Sequence, residues 1–467
     1  MAAIGMSFAL PSFDRRRGQA DGDWEGGRNT LRKRIPAPQA PRSFSRRQFL
    51  KASGMAALLT HLPMGWAGRV FASDAPEKPK LTLGIIPLTD CAQIVVAYEK
   101  GFFKEEGLDV TVAKEISWAA IRDKVTYGDL DAAHMLAPMP LAATLGVGSI
   151  QKETITAIGM DLNGNGITVS NAVWQAMNEI DPESCALRPT PATALKKLIE
   201  RDRGKRLYKF AMVFPVATHN YEIRYWLASA GIDPDNDIKL DVIPPPQMVA
   251  NLRAGNIDGY CVGEPWNQRA VSDKVGVPVI TNVEIFPGKL EKVVGVNREW
   301  MEKYPHSHRA MVRALIRAGQ WADPAENRLQ VVQWISQRQY VNAPEDVVKN
   351  SMTGTFEYAP GDVRQLPDFN VFFRQHATFP WRSFAVWFLT QMQRWGQLPD
   401  ELAPADYKRI AEQVYLTEAY REAAKDVGIE VPDSDYKKET EFFDGVTFNP
   451  EDPIGYVKQF PVRRTHL

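Results

Sequence analysis

Four side chains of the kinds that move protons lie beside apolar runs in this sequence: Asp131, His134, His219 and Glu264. Imidazole and carboxyl groups act as general acids and bases, so an enzyme is one class of function to consider. The sequence contains none of the catalytic or nucleotide-binding motifs GxSxG, HExxH, a P-loop or a GxGxxG turn after a strand. The sequence therefore favours a protein that binds a ligand without transforming it.

The cysteines are the next candidates for chemistry. Cys91, Cys185 and Cys261 are odd in number and far apart, and they match neither a CxxC metal site nor a disulfide framework. We expect three core or free thiols, and we expect the protein to use no metal and no cofactor.

The stretch Ser117–Pro140 contains His134 and is the pattern around which the chain is organised. Ile121 and Val125 recur at helical spacing, a glycine turn follows, and residues 130–136 form an apolar strand that ends at two prolines. Prolines force the chain off the sheet, and ligand clefts of open α/β sheets lie at the carboxyl ends of strands. The pattern predicts a helix and a strand that end at a pocket.

The stretch Gly255–Trp266 repeats this pattern. It has a glycine-containing turn with an aspartate, an apolar strand and a proline-marked exit, Gly263-Glu264-Pro265. Two such units predict two similar lobes that face each other across one cleft.

The elements around these units indicate an α/β protein. Leu81–Ile86, Cys91–Glu99 and Asp109–Ala113 follow the strand, helix, strand order of a βαβ unit, which predicts a parallel sheet wound with helices. From Trp300 onward, apolar periodicity predicts a helical region. Its predicted helices are Ala310–Trp321, Arg328–Val341, Pro344–Met352, Phe384–Trp395 and Tyr407–Val427.

Composition sets limits on the partners. The 467 residues are 44% hydrophobic and carry 56 basic and 56 acidic side chains, which is enough for a large core in two or three lobes. Basic side chains outnumber acidic ones in residues 1–72, so the rest of the chain is acidic overall. This balance does not indicate a nucleic-acid partner.

Residues 1–72 are predicted to be a disordered leader and an export signal. Arg46 and Arg47, followed by Phe-Leu-Lys and a moderately apolar run, resemble the twin-arginine signal, and small or aliphatic residues near Ala72 fit a cleavage site. No later run reaches the roughly 18 apolar residues of a membrane helix. We expect a soluble periplasmic protein that the twin-arginine translocase exports.

The body of the chain resembles a known family. Pro-Leu-Thr-Asp at 87–90, Lys-Gly-Phe-Phe at 100–103 and Gly-Leu-Asp-Val at 107–110 are similar to the opening of periplasmic solute-binding proteins for nitrate, sulfonate and taurine. Ser117-Trp118 and Ala133–Pro140 resemble the nitrate-binding branch, the receptors of nitrate, nitrite and bicarbonate ABC importers. Residues 379–392 match this branch as well, whereas the smaller sulfonate receptors lack such a segment.

The resemblance implies a type II periplasmic binding protein, with two lobes around a hinged cleft and an extended helical C-terminal region. Lobe 1 would comprise residues 80–170 and 285–467, and lobe 2 residues 171–284. Closure of the lobes around the ligand would create the form that a permease in the inner membrane recognises.

The resemblance also implies the site. Trp118 matches the aromatic wall of the ligand site in this family, and His219 matches the family's histidine. His219 lies at the start of a predicted helix, where it is well placed to donate a hydrogen bond to an anion. Gly263 and Glu264 match its contacts from the second lobe. Asn171 lies near the position of a side-chain amide that contacts the ligand.

A lysine after the second turn would supply the positive charge. Both Lys289 and Lys292 are available, and spacing favours Lys292. Nitrate, which cannot share a proton, is best held by a fixed charge, so a lysine in the cleft favours nitrate or nitrite over bicarbonate.

Three classes of function remain. The first is an exported receptor for nitrate, with nitrite, bicarbonate or a sulfonate as alternative ligands. The second is a nitrate sensor that controls a regulatory partner, which the export signal disfavours, and the third is an enzyme. The sequence leaves affinity, metal dependence and oligomeric state open.

Overall fold

The computed structural model describes residues 75–437 and 442–464. The predicted leader and twin-arginine signal lie outside these residues. The strands are β1 (Lys80–Ile85), β2 (Asp109–Lys114), β3 (Ala132–Leu136), β4 (Thr154–Asn163), β5 (Asn165–Ser170), β6 (Tyr208–Met212), β7 (Ile238–Val242), β8 (Gly259–Gly263), β9 (Gly276–Thr281), β10 (Leu290–Asn297), β11 (Thr355–Glu357), β12 (Val363–Gln365) and β13 (Asn370–Val371).

Helices connect these strands and form most of the C-terminal third. The helices are α1 (Ala92–Glu99), α2 (Phe102–Glu105), α3 (Trp118–Tyr127), α4 (Met139–Leu145), α5 (Asn171–Ile180), α6 (Pro182–Ala186), α7 (Thr193–Arg201), α8 (Thr218–Ser229), α9 (Met248–Arg253), α10 (Trp266–Ser272), α11 (Asn282–Ile285), α12 (Arg298–Lys303), α13 (Pro305–Ala322), α14 (Ala325–Ile335), α15 (Glu345–Met352), α16 (Arg382–Arg394), α17 (Pro404–Val414), α18 (Thr417–Asp426) and α19 (Pro453–Lys458).

Two sheets divide the chain into two lobes. The first has the order β13-β4-β10-β3-β1-β2 and the second β7-β6-β8-β5-β9. In each sheet a central, fully buried strand, β3 or β8, has a parallel neighbour on one side and an antiparallel neighbour on the other. The fold is the predicted α/β architecture, and the paired units Ser117–Pro140 and Gly255–Trp266 provide the central strand of each lobe.

The chain passes between the lobes at residue 164 and again between β9 and β10. Gly164 separates β4 of the first sheet from β5 of the second, and its φ of 101° is a conformation that L side chains rarely adopt. The predicted boundary at 170/171 differs from this arrangement, because β5 pairs with β8 and β9 and so belongs to the second sheet.

The predicted C-terminal helices are present, with two differences, the first being that the helix predicted over Arg328–Val341 ends at Ile335. Residues 407–427, predicted as a single helix, form α17 and α18 with a break at Tyr415-Leu416. The break follows from tertiary contacts: the Leu416 amide donates to the Thr156 carbonyl at 2.8 Å, and the Tyr415 hydroxyl donates to the Ala137 carbonyl at 2.7 Å. A periodicity count cannot detect backbone bonds to a distant strand.

The C-terminal third is attached to the first lobe and also reaches α8 of the second. The ring of Tyr225 on α8 stacks on Phe442 with centroids 4.9 Å apart, and its hydroxyl donates to Asp444 at 3.0 Å. The Arg464 guanidinium pairs with Asp233 and Asp235 in the loop after α8. These contacts form a clasp, residues 442–464, that joins the two lobes at a second place.

All three cysteines are buried and free, as expected. Among the helices of the described residues, none has the length and apolar character needed to cross a membrane.

Candidate ligand-binding site

The lobes meet at the carboxyl ends of their central strands. The Thr89 amide, in the turn after β1, donates to the Glu264 carbonyl at 2.8 Å, and the Trp266 indole donates to the Pro87 carbonyl at 3.0 Å. The side chains that converge here are buried, so the candidate site lies in the interior between the lobes.

Trp118 forms part of the first-lobe side of this site. It is the first residue of α3, which begins there because the Ser117 hydroxyl accepts a hydrogen bond from the Ala120 amide at 3.2 Å. The indole is buried, it meets the His134 ring edge-on with centroids 5.2 Å apart, and Lys292 Nζ lies 5.9 Å from its centroid. Its Nε1 donor has no hydrogen-bond partner among the described residues.

His219 lies opposite, in the first turn of α8. Its Nδ1 is 3.3 Å from Thr218 Oγ1 and 3.6 Å from Glu291 Oε1, while its Nε2 is without a partner in the described part of the chain. Burial lowers the pKa of His219 to about 3, although Glu291 opposes this, so the imidazole is neutral near pH 7.

The hydrogen bonds around Thr218 define which nitrogen of His219 carries the proton. Burial alone would raise the pKa of Glu291, but Lys292, His219 and Lys289 lower it to about 2, so the carboxylate is ionised and can only accept. The Thr218 hydroxyl must therefore donate its one proton to Glu291 and accept from His219 Nδ1. In the neutral imidazole Nε2 is then an acceptor, and it becomes a donor only when a second proton is taken up.

Both candidate lysines are buried in this site. Lys292 Nζ pairs with Asp90 Oδ2 at 2.7 Å and with Glu291 Oε1 at 2.8 Å, whereas Lys289 Nζ pairs with Glu222 on α8 and lies 3.7 Å from Glu291 Oε2. Burial would lower the pKa of Lys292, but the neighbouring carboxylates raise it above its ordinary value. Both lysines thus sit among acidic groups, and only Lys292 lies against Trp118.

A β-bulge explains how Glu291 and Lys292 come to face the same place. Adjacent strand residues normally point to opposite faces of a sheet. The register between β10 and β4 shifts on either side of Lys292, so the two side chains contact each other at 2.8 Å.

Gly263 and Glu264 lie at the end of β8, as predicted. A Cβ at position 263 would lie 3.3 Å from Asn165 Oδ1, Asp90 Oδ2 and Leu88, tighter than ordinary van der Waals contact, so the close approach of the lobes favours glycine. Glu264 Oε2 accepts from the Gln268 amide at 3.1 Å, and its Oε1 has no partner within the described chain. Burial raises the pKa of Glu264 to about 8, so the group is mostly protonated at neutral pH.

Asn171 is not brought together with the other predicted residues. It begins α5 at the far end of β5, is exposed, and donates to the Lys274 carbonyl at 2.8 Å. The opposite end of β5 is the one that pairs with Gly263, and six strand residues span roughly 20 Å. The amide that reaches the site is Asn165, whose Nδ2 donates to Glu222 Oε2 at 2.9 Å.

Several buried polar residues at the site were not predicted. They are Asp90, Asp161, Asn165, Glu222 and Glu291, together with His134, which was considered only as an acid or base. Asn165 could have been found from its place in the Asn/Gly turn that connects the sheets. Glu222 lies one helical turn after His219, a spacing that places both on one face of α8.

The chemistry of the site follows from its unpartnered atoms. Four ring nitrogens at the site are buried without partners among the described residues: Trp118 Nε1, both nitrogens of His134, and His219 Nε2. Buried polar groups are normally hydrogen-bonded, and nitrogen donors beside an ammonium group suit a small ligand rich in acceptors. Within residues 75–437 and 442–464 there is no His, Cys, Asp and Glu cluster suited to a metal ion.

Comparisons with known proteins place the chain in a family. The model of the NMT1-like family matches residues 74–336. The nitrate/nitrite binding protein NrtA of Nostoc sp. PCC 7120 is 35% identical over 453 residues, 90% of this chain and 99% of that protein. The nitrate import ATP-binding protein NrtC of Synechocystis sp. PCC 6803 is 40% identical over 392 residues, 83% of this chain but 56% of NrtC, so the chain spans about half of that relative.

A solved structure agrees with these matches. The crystal structure of the periplasmic nitrate-binding protein NrtA from Synechocystis PCC 6803 has a TM-score of 0.77 and 32% identity, covering 83% of this chain and all of that one. The predicted resemblance and two-lobe fold are confirmed, and so is the prediction that the protein is not an enzyme, since the NrtA relatives are binding proteins. The chain therefore belongs to the NMT1-like family, in the branch that contains the NrtA nitrate-binding proteins.

Proposed function

We propose that this protein is a periplasmic receptor that binds nitrate, or nitrite, between its two lobes and delivers it to an ABC importer. The observation that carries the proposal is the convergence of unpartnered buried nitrogens of Trp118 and His219 beside the ammonium group of Lys292. These residues come from both lobes, so an anion that contacts them bridges the lobes and stabilises the closed form. Gly263 and Glu264 complete the second-lobe wall of the site.

The charges at the site determine how an anion can enter. Glu291, Glu222 and Asp90 lie against only two lysines, so a bare anion would add to an acidic interior. Nitrate offers only acceptors, and His219 Nε2 donates only as an imidazolium. Nitrate binding is therefore accompanied by the uptake of one proton on His219, which leaves the buried charge unchanged.

Bicarbonate is the second candidate ligand, and the same geometry favours it in a different way. Bicarbonate carries a hydroxyl that can donate to neutral His219 Nε2, so it needs no proton from the solvent. The pH dependence of binding thus separates the two ligands.

Calorimetry with the protein from residue 73 onward tests the proposal. Nitrate, nitrite, bicarbonate, sulfate and taurine are titrated at pH 6, 7 and 8. We expect micromolar or tighter binding of nitrate that strengthens at lower pH. Binding of bicarbonate with little pH dependence, and no binding of nitrate, would assign the chain to the alternative ligand.

Export is tested separately. The Arg46-Arg47 pair lies outside the described residues, and a double replacement by lysine is expected to retain the protein in the cytoplasm. Periplasmic recovery of that variant would contradict the twin-arginine route. A cytoplasmic location of the unaltered chain would favour a sensor that acts on a regulatory partner, and would leave the translocase and the inner-membrane permease without a role.

A further inference from the structure

His134 is a buried histidine that the proposed function does not yet use. It lies on the central strand β3 with no exposed surface, and neither ring nitrogen has a hydrogen-bond partner among the described residues. A buried imidazole in a purely structural role normally satisfies at least one nitrogen, because an unpaired polar group in the interior destabilises the fold.

The surroundings of His134 are those of the anion site. On β3 and β10, His134 pairs with Val294 and Leu136 pairs with Lys292, so His134 and Lys292 are diagonal neighbours on one face of the sheet. The indole of Trp118 touches both: it meets the His134 ring at 5.2 Å and lies 5.9 Å from Lys292 Nζ.

The remaining neighbours are compatible with a neutral donor. Burial lowers the pKa of His134 well below its ordinary value, with Lys292 and His219 acting in the same direction and Glu291 against them. A neutral imidazole always carries one N–H, and no carboxylate or carbonyl oxygen among the described residues accepts it.

We propose that His134 is a further ligand-contact residue, which donates a hydrogen bond from the first lobe to the oxyanion that His219 contacts from the second. The inference rests on the proposed function and assigns a second imidazole, that of His134, to the ligand contacts of the site. The ligand class is a small oxyanion with at least two acceptor oxygens, so that both lobes are engaged by hydrogen bonds as well as by charge.

His308 provides a matched control. It is also buried, burial lowers its pKa to about 4, and its ring meets the edge of a tryptophan, Trp300, with centroids 6.4 Å apart. It lies on α13, away from the residues that converge between the lobes. A general effect of removing a buried histidine beside an indole would therefore appear in both positions.

The experiment compares His134→Leu, His134→Gln and His308→Leu with the unaltered protein by nitrate calorimetry and by thermal unfolding without ligand. We expect His134→Leu to weaken nitrate binding by about tenfold to a hundredfold, the loss of one hydrogen bond to a charged ligand. We expect His134→Gln, which retains an N–H donor, to recover part of the affinity. His308→Leu should leave the affinity unchanged.

The unfolding data distinguish a ligand contact from a structural role. Because the His134 nitrogens have no hydrogen-bond partner within residues 75–437 and 442–464, His134→Leu should not lower the melting temperature of the ligand-free protein. A lowered melting temperature with nitrate affinity within twofold of the unaltered protein would overturn the inference. If the unaltered protein itself binds no nitrate, the proposed function fails instead.

A measurement on the unaltered protein covers the case in which His134→Leu does not fold. The chain has 7 histidines, and ¹⁵N-labelled imidazole resonances report each of them. Nitrate should shift two buried imidazoles, those of His134 and His219. A shift of His219 alone would overturn the inference while leaving the proposed function in place.

Discussion

The two lobes share one architecture and contribute different chemistry. The order β2-β1-β3-β10-β4 in the first corresponds to β7-β6-β8-β5-β9 in the second. In the first lobe β10 supplies Glu291 and Lys292, and Lys289 directly precedes this strand. The equivalent strand of the second lobe, β5, begins with the neutral Asn165. The second lobe also contributes His219 from the first turn of α8. The shared core determines where a site can form, and the residues at the strand ends determine what it binds.

The largest expected effect comes from removing the cation of the first lobe. Lys292→Met should weaken nitrate binding by a hundredfold or more, and it should destabilise the fold by about 3–5 kcal/mol because Asp90 and Glu291 lose a buried partner. Calorimetry and denaturant unfolding measure the two effects.

A double variant and a neighbouring lysine separate these effects. Lys292→Met combined with Asp90→Asn removes a charge of each sign and should recover stability without recovering affinity. Lys289→Met should weaken binding less, because Lys289 pairs with Glu222 on α8. Recovery of affinity in the double variant would show that Lys292 is not the ligand's counter-ion.

The second-lobe histidine should control the pH dependence of binding. The pKa of His219 is about 3 in the free protein and must rise in a nitrate complex that needs the imidazolium, so binding takes up a proton and tightens as pH falls. We expect Kd to decrease as pH falls from 7 to 5, with about tenfold per pH unit as the upper limit for the uptake of one proton. Calorimetry in two buffers of different ionisation enthalpy would also count the protons.

Two of the charged groups beside His219 keep their charge in this window. The pKa of Glu291 is lowered to about 2 by its cationic neighbours, and the neighbouring carboxylates raise the pKa of Lys292 above its ordinary value. Burial raises the pKa of Glu222, on the same helix as His219. His219→Gln, which donates without a proton, should bind nitrate with little pH dependence. A slope that persists in this variant would place the proton on another buried group, such as Glu222 or His134.

The acidic residue of the second-lobe turn should affect stability more than binding. The pKa of Glu264 is raised by burial to about 8 in the folded protein, so between pH 4.5 and 8 the folded state holds a proton that the unfolded state has released. Its contribution to the free energy of unfolding is therefore complete below about pH 4.5 and declines as pH rises to 8.

Denaturant unfolding at pH 5 and pH 8 measures this contribution. We expect Glu264→Gln to lose less stability than the unaltered protein over this range, by on the order of 2 kcal/mol. Equal losses would mean that Glu264 is ionised in the folded protein.

The smallest effects should distinguish the two asparagines at opposite ends of β5. Asn165→Ala removes one donor to Glu222, which keeps its contact with Lys289, and should destabilise the protein by about 1–3 kcal/mol, with a few-fold weaker nitrate binding. Asn171→Ala removes an exposed hydrogen bond and should change nitrate binding by less than twofold. A larger loss of affinity for Asn171→Ala would contradict the placement of the site.

The sequence was sufficient for the lobes and for most of the residues that the structure brings together at the candidate site. What it missed has physical causes. Trp118, His219 and Gly263 follow elements whose periodicity or turn residues are visible in the chain. Spacing favoured Lys292 without excluding Lys289, because a bulge on β10 turns Glu291 and Lys292 toward the same place and no one-dimensional pattern encodes it. Asn171 was predicted at the site and Asn165 was not, because the register of β5 depends on its pairing with β8, which the sequence does not display.

The clasp formed by residues 442–464 has a kinetic consequence for a receptor of this kind. α8 carries His219 and contacts Phe442 and Asp444, and the loop after it pairs with Arg464, so a movement of α8 away from the clasp must break these contacts. The ligand should then enter and leave through small, frequent openings of the two lobes rather than through one wide opening. A variant that weakens the stacking of Tyr225 on Phe442 should open the lobes more widely and close them more slowly.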